Sequence, residues 1–171
     1  MDEDHEHRQY WETFYAGSQS SAVPRSPSSF AEWVASRESV PGPLVDVGMG
    51  NGRDALWFSR RGFDVLGLDF ADSAVRLATD LATSEGLAVS FARVNLYHQT
   101  EVSDAAALMG LDLRPRVLYA RFFVHALEDD ARLNLWRMAR EALGAGGRLY
   151  LEFRVAATQH EFGEHYRHFV H

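Results

Sequence analysis

In the run Asp46-Val47-Gly48-Met49-Gly50-Asn51-Gly52, an acid is followed by three glycines at alternate positions. A second acid, Asp69, stands about twenty residues further on, the spacing at which a nucleoside-binding sheet places a ribose-holding carboxylate. Glycines between a strand and a helix let the backbone come close to a ligand and adopt φ/ψ values closed to other residues. The helix that follows offers unpaired N–H groups and a partial positive charge, on which a carboxylate, a phosphate or a sugar hydroxyl can rest. A dinucleotide fingerprint reads G-x-G-x-x-G, its third glycine serving close helix–strand packing. Here the spacing is G-x-G-x-G, and Asp54 and Ala55 follow. Asp46, inside the preceding strand, repels a pyrophosphate and suits a ligand with an amino group. The plain alternative is a strand–turn–helix junction without a ligand, against which the acids at both expected places argue.

A second group with chemical potential is Tyr119-Ala120-Arg121-Phe122-Phe123-Val124-His125, at the end of a later apolar run. Arg121 there suits an anionic substrate or an ordinary surface ion pair. His125 suits a general base or a packing and capping residue ahead of a helix. Tyr97 and His98, past the third strand, are weaker candidates for the same region. In the tail, Glu161, His165 and His168 share a helical face by spacing. They match no strong metal motif, and no metal is expected. The aromatic cluster Tyr10, Trp11, Phe14 and Tyr15 gives one apolar helical face, which serves either as a lid or as plain packing.

The elements that must position these residues alternate. Helices are predicted over His5 to Ala16, Phe30 to Arg37 (capped by Ser28 or Ser29), Asp54 to Arg61, Ser73 to Ser84 (Asp72 as cap), Asp104 to Met109 and Asp129 to Leu143. Strands are predicted over Leu44 to Gly48, Asp64 to Asp69, Val89 to Asn95, Arg116 to Phe122 and Arg148 to Val155. Near-continuous apolar strands between helices call for an α/β fold, an open, doubly wound, mostly parallel Rossmann-like sheet covered on both faces. The expected strand order is 3-2-1-4-5.

The chain has 171 residues, enough for one domain with a real core. We divide it into an N-terminal helical, aromatic lid (1–40), a ligand-binding core (41–155) and a terminal segment (156–171). With 17 Lys and Arg against 24 Asp and Glu, the net charge is −7 and no basic run occurs, so nucleic acid is not an expected partner. There is no cysteine, which excludes disulfides and thiolate metal sites and suits a cytoplasmic protein. No segment approaches the ~20 apolar residues of a membrane span, and no signal peptide is read.

The acid, one residue, then G-x-G-x-G of Asp46 to Gly52 resembles the first motif of class I S-adenosylmethionine-dependent methyltransferases. Asn51-Gly52-Arg53-Asp54-Ala55-Leu56 and the aromatic Tyr10-Trp11-Glu12-Thr13-Phe14-Tyr15 resemble small-molecule methyltransferases of the tellurite-resistance and thiopurine type. The resemblance implies S-adenosylmethionine as cofactor and methyl transfer to a small-molecule acceptor. It implies that Gly48, Gly50 and Gly52 wrap the methionyl end, that Asp46 orients the loop or the amino group, and that Asp69 holds the ribose. Phe70 would pack on the adenine, and Asn95 stands where the family often has an Asp bonding the adenine amino group. Leu96, Ala120 and Tyr15 would complete the cofactor site, with Arg121 and His125 on the acceptor side. The class normally adds a helix and two strands after the fifth strand. No such strands are read here, which leaves an edge and makes a homodimer an expectation. The rival readings are a non-catalytic adenosylmethionine-binding module and an NAD-dependent oxidoreductase.

Overall fold

In the computed structural model, residues 3–17, 24–110, 114–143 and 145–154 are described. Five strands form one parallel sheet: β1 (Pro43–Val47), β2 (Asp64–Asp69), β3 (Ser90–Arg93), β4 (Val117–Arg121) and β5 (Arg148–Glu152). Their order is β3-β2-β1-β4-β5. This is the Rossmann-like arrangement read from the apolar runs.

Alternation along each strand divides the core. Leu44, Val65, Val117 and Tyr119 pack on one face with Ala31 and Val34 of α2 (Ser29–Arg37) and Ala55 and Phe58 of α3 (Arg53–Arg60). Val45, Val47, Leu68 and Leu118 pack on the other with α5 (Gln99–Gly110) and α6 (Asp129–Leu143). Neighbouring residues such as Leu44 and Val45 thus serve opposite layers, as the two-residue period of a strand requires. Two further helices complete the first layer, α1 (Glu3–Ala16) packing on α4 (Asp72–Glu85). No described helix is long and apolar enough to cross a membrane.

The structure departs from the sequence reading at several element ends, among them β5, read as far as Val155, which stops at Glu152. The helix expected over Asp104 to Met109 begins at Gln99. Glu101 in its first turn reaches back to accept from the Asn95 amide at 2.9 Å, a tertiary tie that local propensity does not carry. Strand β3 stops at Arg93, because Asn95 turns the chain by accepting from the Tyr97 amide at 3.0 Å. Strand β4 stops at Arg121, because Phe122 takes a left-handed φ of 53°. Asp72 is not the cap of α4 but its first residue, and the preceding Ala71 makes no side-chain cap.

Candidate functional site

The site lies at the carboxyl ends of the strands, where β1 and β4 run side by side and the chain leaves for opposite faces of the sheet. An open α/β sheet forms its ligand crevice at such a point. After β1, the amides of Gly48 and Met49 both donate to the Leu68 carbonyl, at 2.8 and 3.1 Å. Gly48, Gly50 and Gly52 have φ of 72°, 58° and 74°, values that side-chain-bearing residues rarely adopt. The first two also lie under aromatic rings. A Cβ on Gly48 would collide with Phe123, and one on Gly50 with the Tyr15 hydroxyl.

Asp69 ends β2 beside this loop. Its carboxylate accepts from the Gly50 amide at 2.9 Å and the Ala71 amide at 3.0 Å. Burial pushes its carboxyl up to about 6, against the lowering effect of those amide bonds. The Phe70 amide is a third donor, and a carboxylate with about four acceptor positions still has room for a ribose hydroxyl.

Beneath the loop are two more buried acids. Asp46 accepts from the Ala55 amide at the start of α3. Burial first, then the charges of Asp54 and Asp69, push its carboxyl well above the ordinary range. Asp54 is held by three donors: the Ser28 amide at 2.8 Å, the Ser28 hydroxyl at 2.7 Å and the Tyr119 hydroxyl at 2.7 Å. The same Ser28 hydroxyl accepts from the Ala31 amide at 3.0 Å and caps α2, so α2, α3 and β4 meet at one carboxylate. Three buried carboxyl groups close together offer acceptors and no cation, which disfavours a pyrophosphate.

A cleft of about 220 Å³ opens above the loop. Gly48, Asp69, Phe70, Asn95, Leu96, Tyr15 and Arg121 line it, as the sequence reading expects of a shared site. Asp46, Gly50, Gly52, Ala120 and His125 do not line it. Ala120 is buried in the core beside α6, while Gly50 and Asp46 act from behind the loop through Asp69 and Ala55. Asn95 is fully buried, and Asn134 of α6 donates to the carbonyl of neighbouring Leu96 at 2.7 Å, fixing the floor. Tyr97 lines the cleft too, whereas His98 is half exposed and faces Glu101 at 2.9 Å, at the start of α5.

On the β4 side, Arg121 lines the cleft and forms an ion pair with Glu152 of β5 at 2.5 Å. The N–H of Arg121 Nε does not point at that oxygen, so the contact is Coulombic and not an aligned hydrogen bond. The Arg121 guanidinium also lies over the Phe122 ring, 4.1 Å from its centroid, and that of Arg154 lies 5.1 Å from it. His125 is buried in a 3-10 turn, its Nδ1 accepting from the Arg154 amide at 3.4 Å.

Two contributors escaped the sequence reading. Phe123 closes over Gly48, and nothing local in the sequence distinguishes it from Phe122. Glu12 of α1 accepts from the Asp72 and Ser73 amides at 2.6 and 3.0 Å. Burial alone would raise its carboxyl, but the Ser73 and Asp72 bonds outweigh that and hold it below the usual range. The available signal was a charge set inside an aromatic run. Glu161, His165 and His168, weighed as metal ligands, lie outside the described residues. Among the described residues no cluster of three potential metal ligands occurs.

The model of a methyltransferase domain family matches residues 44–147. Among solved structures, the fold is similar to one reported for the conversion of a disulfide bond into a thioacetal group during echinomycin biosynthesis. That match has a TM-score of 0.68 at 22% identity and covers 84% of this chain and 60% of that one. An S-adenosylmethionine-dependent methyltransferase from Anabaena variabilis gives 0.64 at 22% identity, covering 88% and 61%. The glycopeptide N-methyltransferase MtfA in complex with S-adenosyl-L-homocysteine gives 0.59 at 19% identity, covering 84% and 60%. The chain thus spans about three-fifths of the length of these structures. The family match extends from β1 almost to β5, through the glycine loop, Asp69 and the β4 end, and the chain belongs to the methyltransferase domain family.

Proposed function

We propose that the chain catalyses S-adenosylmethionine-dependent transfer of a methyl group to a small-molecule acceptor by in-line displacement. The observation that carries this reading is the union of a glycine loop with Asp69, tied through the Gly50 amide, at the mouth of a cleft that both Gly48 and Asp69 line. The cofactor supplies an electrophilic methyl group on a cationic sulfur. The residues present fit it: Asp69 has acceptor capacity for a ribose, and Phe70, Asn95 and Leu96 line the place for a base.

This chain's own part in the transfer is to hold and orient. Direct displacement gains most from alignment, and a close-fitting cleft that excludes water supplies it. Tyr15 closes one side over Gly50 and Phe123 another over Gly48. Burial, then the charges of Asp69 and Asp46, keep the Tyr15 phenol neutral, so it serves as a hydrogen-bond donor and not as a base. Arg121 and Phe122 form the acceptor side. Arg121 receives an acidic acceptor only by exchanging Glu152 for it. For His125, burial and the Arg154 amide support the packing role over that of a base. Trp11 and Tyr15 in the cleft support the finer reading of a tellurite-resistance or thiopurine-type enzyme with residues 1–40 as lid. The cysteine-free composition supports the cytoplasm as its place. Strand β5 ends the sheet among the described residues, and its outer edge is where a homodimer would form.

The test is binding followed by turnover. S-adenosylhomocysteine should raise Tm and NAD should not, the stabilisation reaching about 2.7 kcal/mol at a hundredfold excess over Kd. Stabilisation by NAD alone would exclude the methyl-transfer reading. Binding of the homocysteine ligand without turnover across a panel of small acceptors would favour a non-catalytic adenosylmethionine-binding module.

A further inference from the structure

Helix α4 begins three residues after Asp69, and its first amides are orphans unless something caps them. Its own N-cap position, Ala71, supplies no side-chain bond. The cap comes from about sixty residues upstream: Glu12 accepts from the Asp72 amide at 2.6 Å and the Ser73 amide at 3.0 Å. The grip is doubled, because the buried Ser73 hydroxyl donates to the Glu12 carbonyl at 3.0 Å. On the same helix, Trp11 precedes Glu12 and Tyr15 lies one turn beyond, and both line the cleft. Tyr15 also rests on Gly50, the residue whose amide holds Asp69.

We propose that Glu12 is a positioning residue for the cofactor. By occupying the start of α4, it fixes α1 so that Trp11 and Tyr15 wall the cleft beside Asp69 and the glycine loop. The inference rests on reading that cleft as the donor site. Without Glu12, α1 loses its charged attachment to the body while the sheet keeps every one of its own bonds. The competing account is that Glu12 serves only as a helix cap, whose loss lowers stability and changes nothing else.

The two accounts separate when α4 is given a cap of its own. Ala71 has extended backbone angles, φ −84° and ψ 118°, the conformation from which a serine caps a helix. Wild type, Glu12→Ala, Glu12→Gln, Ala71→Ser and the double variant Glu12→Ala/Ala71→Ser are compared in three measurements. These are calorimetric titration with S-adenosylhomocysteine, the ligand's dissociation rate by stopped flow, and urea unfolding. Glu12→Ala should weaken binding about tenfold, mainly through faster dissociation. Glu12→Gln, which keeps an acceptor oxygen, should recover part of the loss and provides the folded comparison if alanine is not tolerated. In the double variant, stability should return while affinity stays low. An unchanged Kd in Glu12→Ala, or affinity returning together with stability in the double variant, would leave Glu12 a cap and nothing more. Amide exchange without ligand separates this from the parent reading. Failure of wild type to bind the ligand overturns the donor site and the cofactor role together. Loss of α1 protection in Glu12→Ala, with β1 and β2 still protected, establishes the clamp in either case, and unchanged α1 protection refutes it.

Discussion

The two sides of the cleft are built on different plans. At the ends of β1 and β2, positive φ falls on glycines, and Asp69 is held by main-chain amides. At the ends of β4 and β5, positive φ falls on Phe122, and the contacts run between side chains: Arg121 with Glu152, and two guanidiniums with one ring. The first plan carries little strain, because glycine adopts those angles freely. The second holds a bulky residue in a region that costs about 1–3 kcal/mol, a burden met mainly at functional sites. Backbone groups recognise what every member of a fold binds, whereas side chains distinguish one protein from the next. On the proposed methyl-transfer reading, the donor would lie on the first side and acceptor choice would fall to the second.

The largest effect should come from Asp69→Ala. Loss of two hydrogen bonds to a charged acceptor, each worth about 1.5–3 kcal/mol, should weaken S-adenosylhomocysteine at least about tenfold in titration calorimetry. An unchanged Kd in a folded variant would remove Asp69 from the site. The same residue predicts two opposite pH trends. Its carboxyl lies at about 6 in the folded protein because of burial, above the roughly 3.9 of an unfolded chain. Its contribution to stability is therefore complete below about pH 4 and lost as pH rises through about 6. Ligand binding needs the ionised acceptor, so affinity should instead fall as pH drops through about 6, by up to about tenfold per unit. Asp69→Asn should flatten the affinity trend, and a pH-independent Kd in wild type would contradict it.

On the other side, effects should be on stability before binding. His125→Ala should cost about 2 kcal/mol in urea unfolding through lost packing, with turnover kept once an acceptor is known. A drop in kcat of ~10²-fold or more with stability intact would restore the base. The smallest effect tests strain. Phe122→Gly and Phe122→Ala both remove the ring, but only glycine relieves the left-handed φ, so the glycine variant should be about 1 kcal/mol more stable than the alanine one. Equal stabilities would mean that Phe122 relaxes when its ring is gone.

What was legible in the sequence follows the same division. The loop could be read because alternating glycines encode local backbone geometry, and the parallel sheet because apolar runs alternate with helices. Phe122 could not, since phenylalanine carries no sign of a positive φ. The start of α5 is set by Glu101 reaching the Asn95 amide, and the cap of α4 by Glu12, a partner sixty positions away. The first bond spans six residues and the second sixty, and neither follows a capping pattern that the sequence marks. Ala120 and His125 were placed correctly along the chain, at the β4 end. Neither lines the cleft: Ala120 packs in the core beside α6, and His125 is buried in the turn that follows Phe122.

The sheet order also dictates a sequence of events as the chain emerges. Strands β1, β2 and β3 come from residues 43–93 and can pair as soon as they are made. The far side of β1 waits for β4, whose Val117, Leu118 and Tyr119 lie opposite Leu44, Val45 and Asp46. Contacts of such long sequence separation form late, and until then β1 is an open edge of apolar residues, the kind that recruits other chains. Asp46 stands in the middle of that edge. A carboxyl solvated in a half-made sheet would be ionised and would guard that edge as an inward-pointing charge does; in the folded protein Asp46 is buried and its charge is disfavoured. The acid beside the glycine loop therefore has work before any ligand arrives. Asp46→Asn should aggregate more during refolding than wild type, and pulse-labelled amide exchange should find β2 protected before β5.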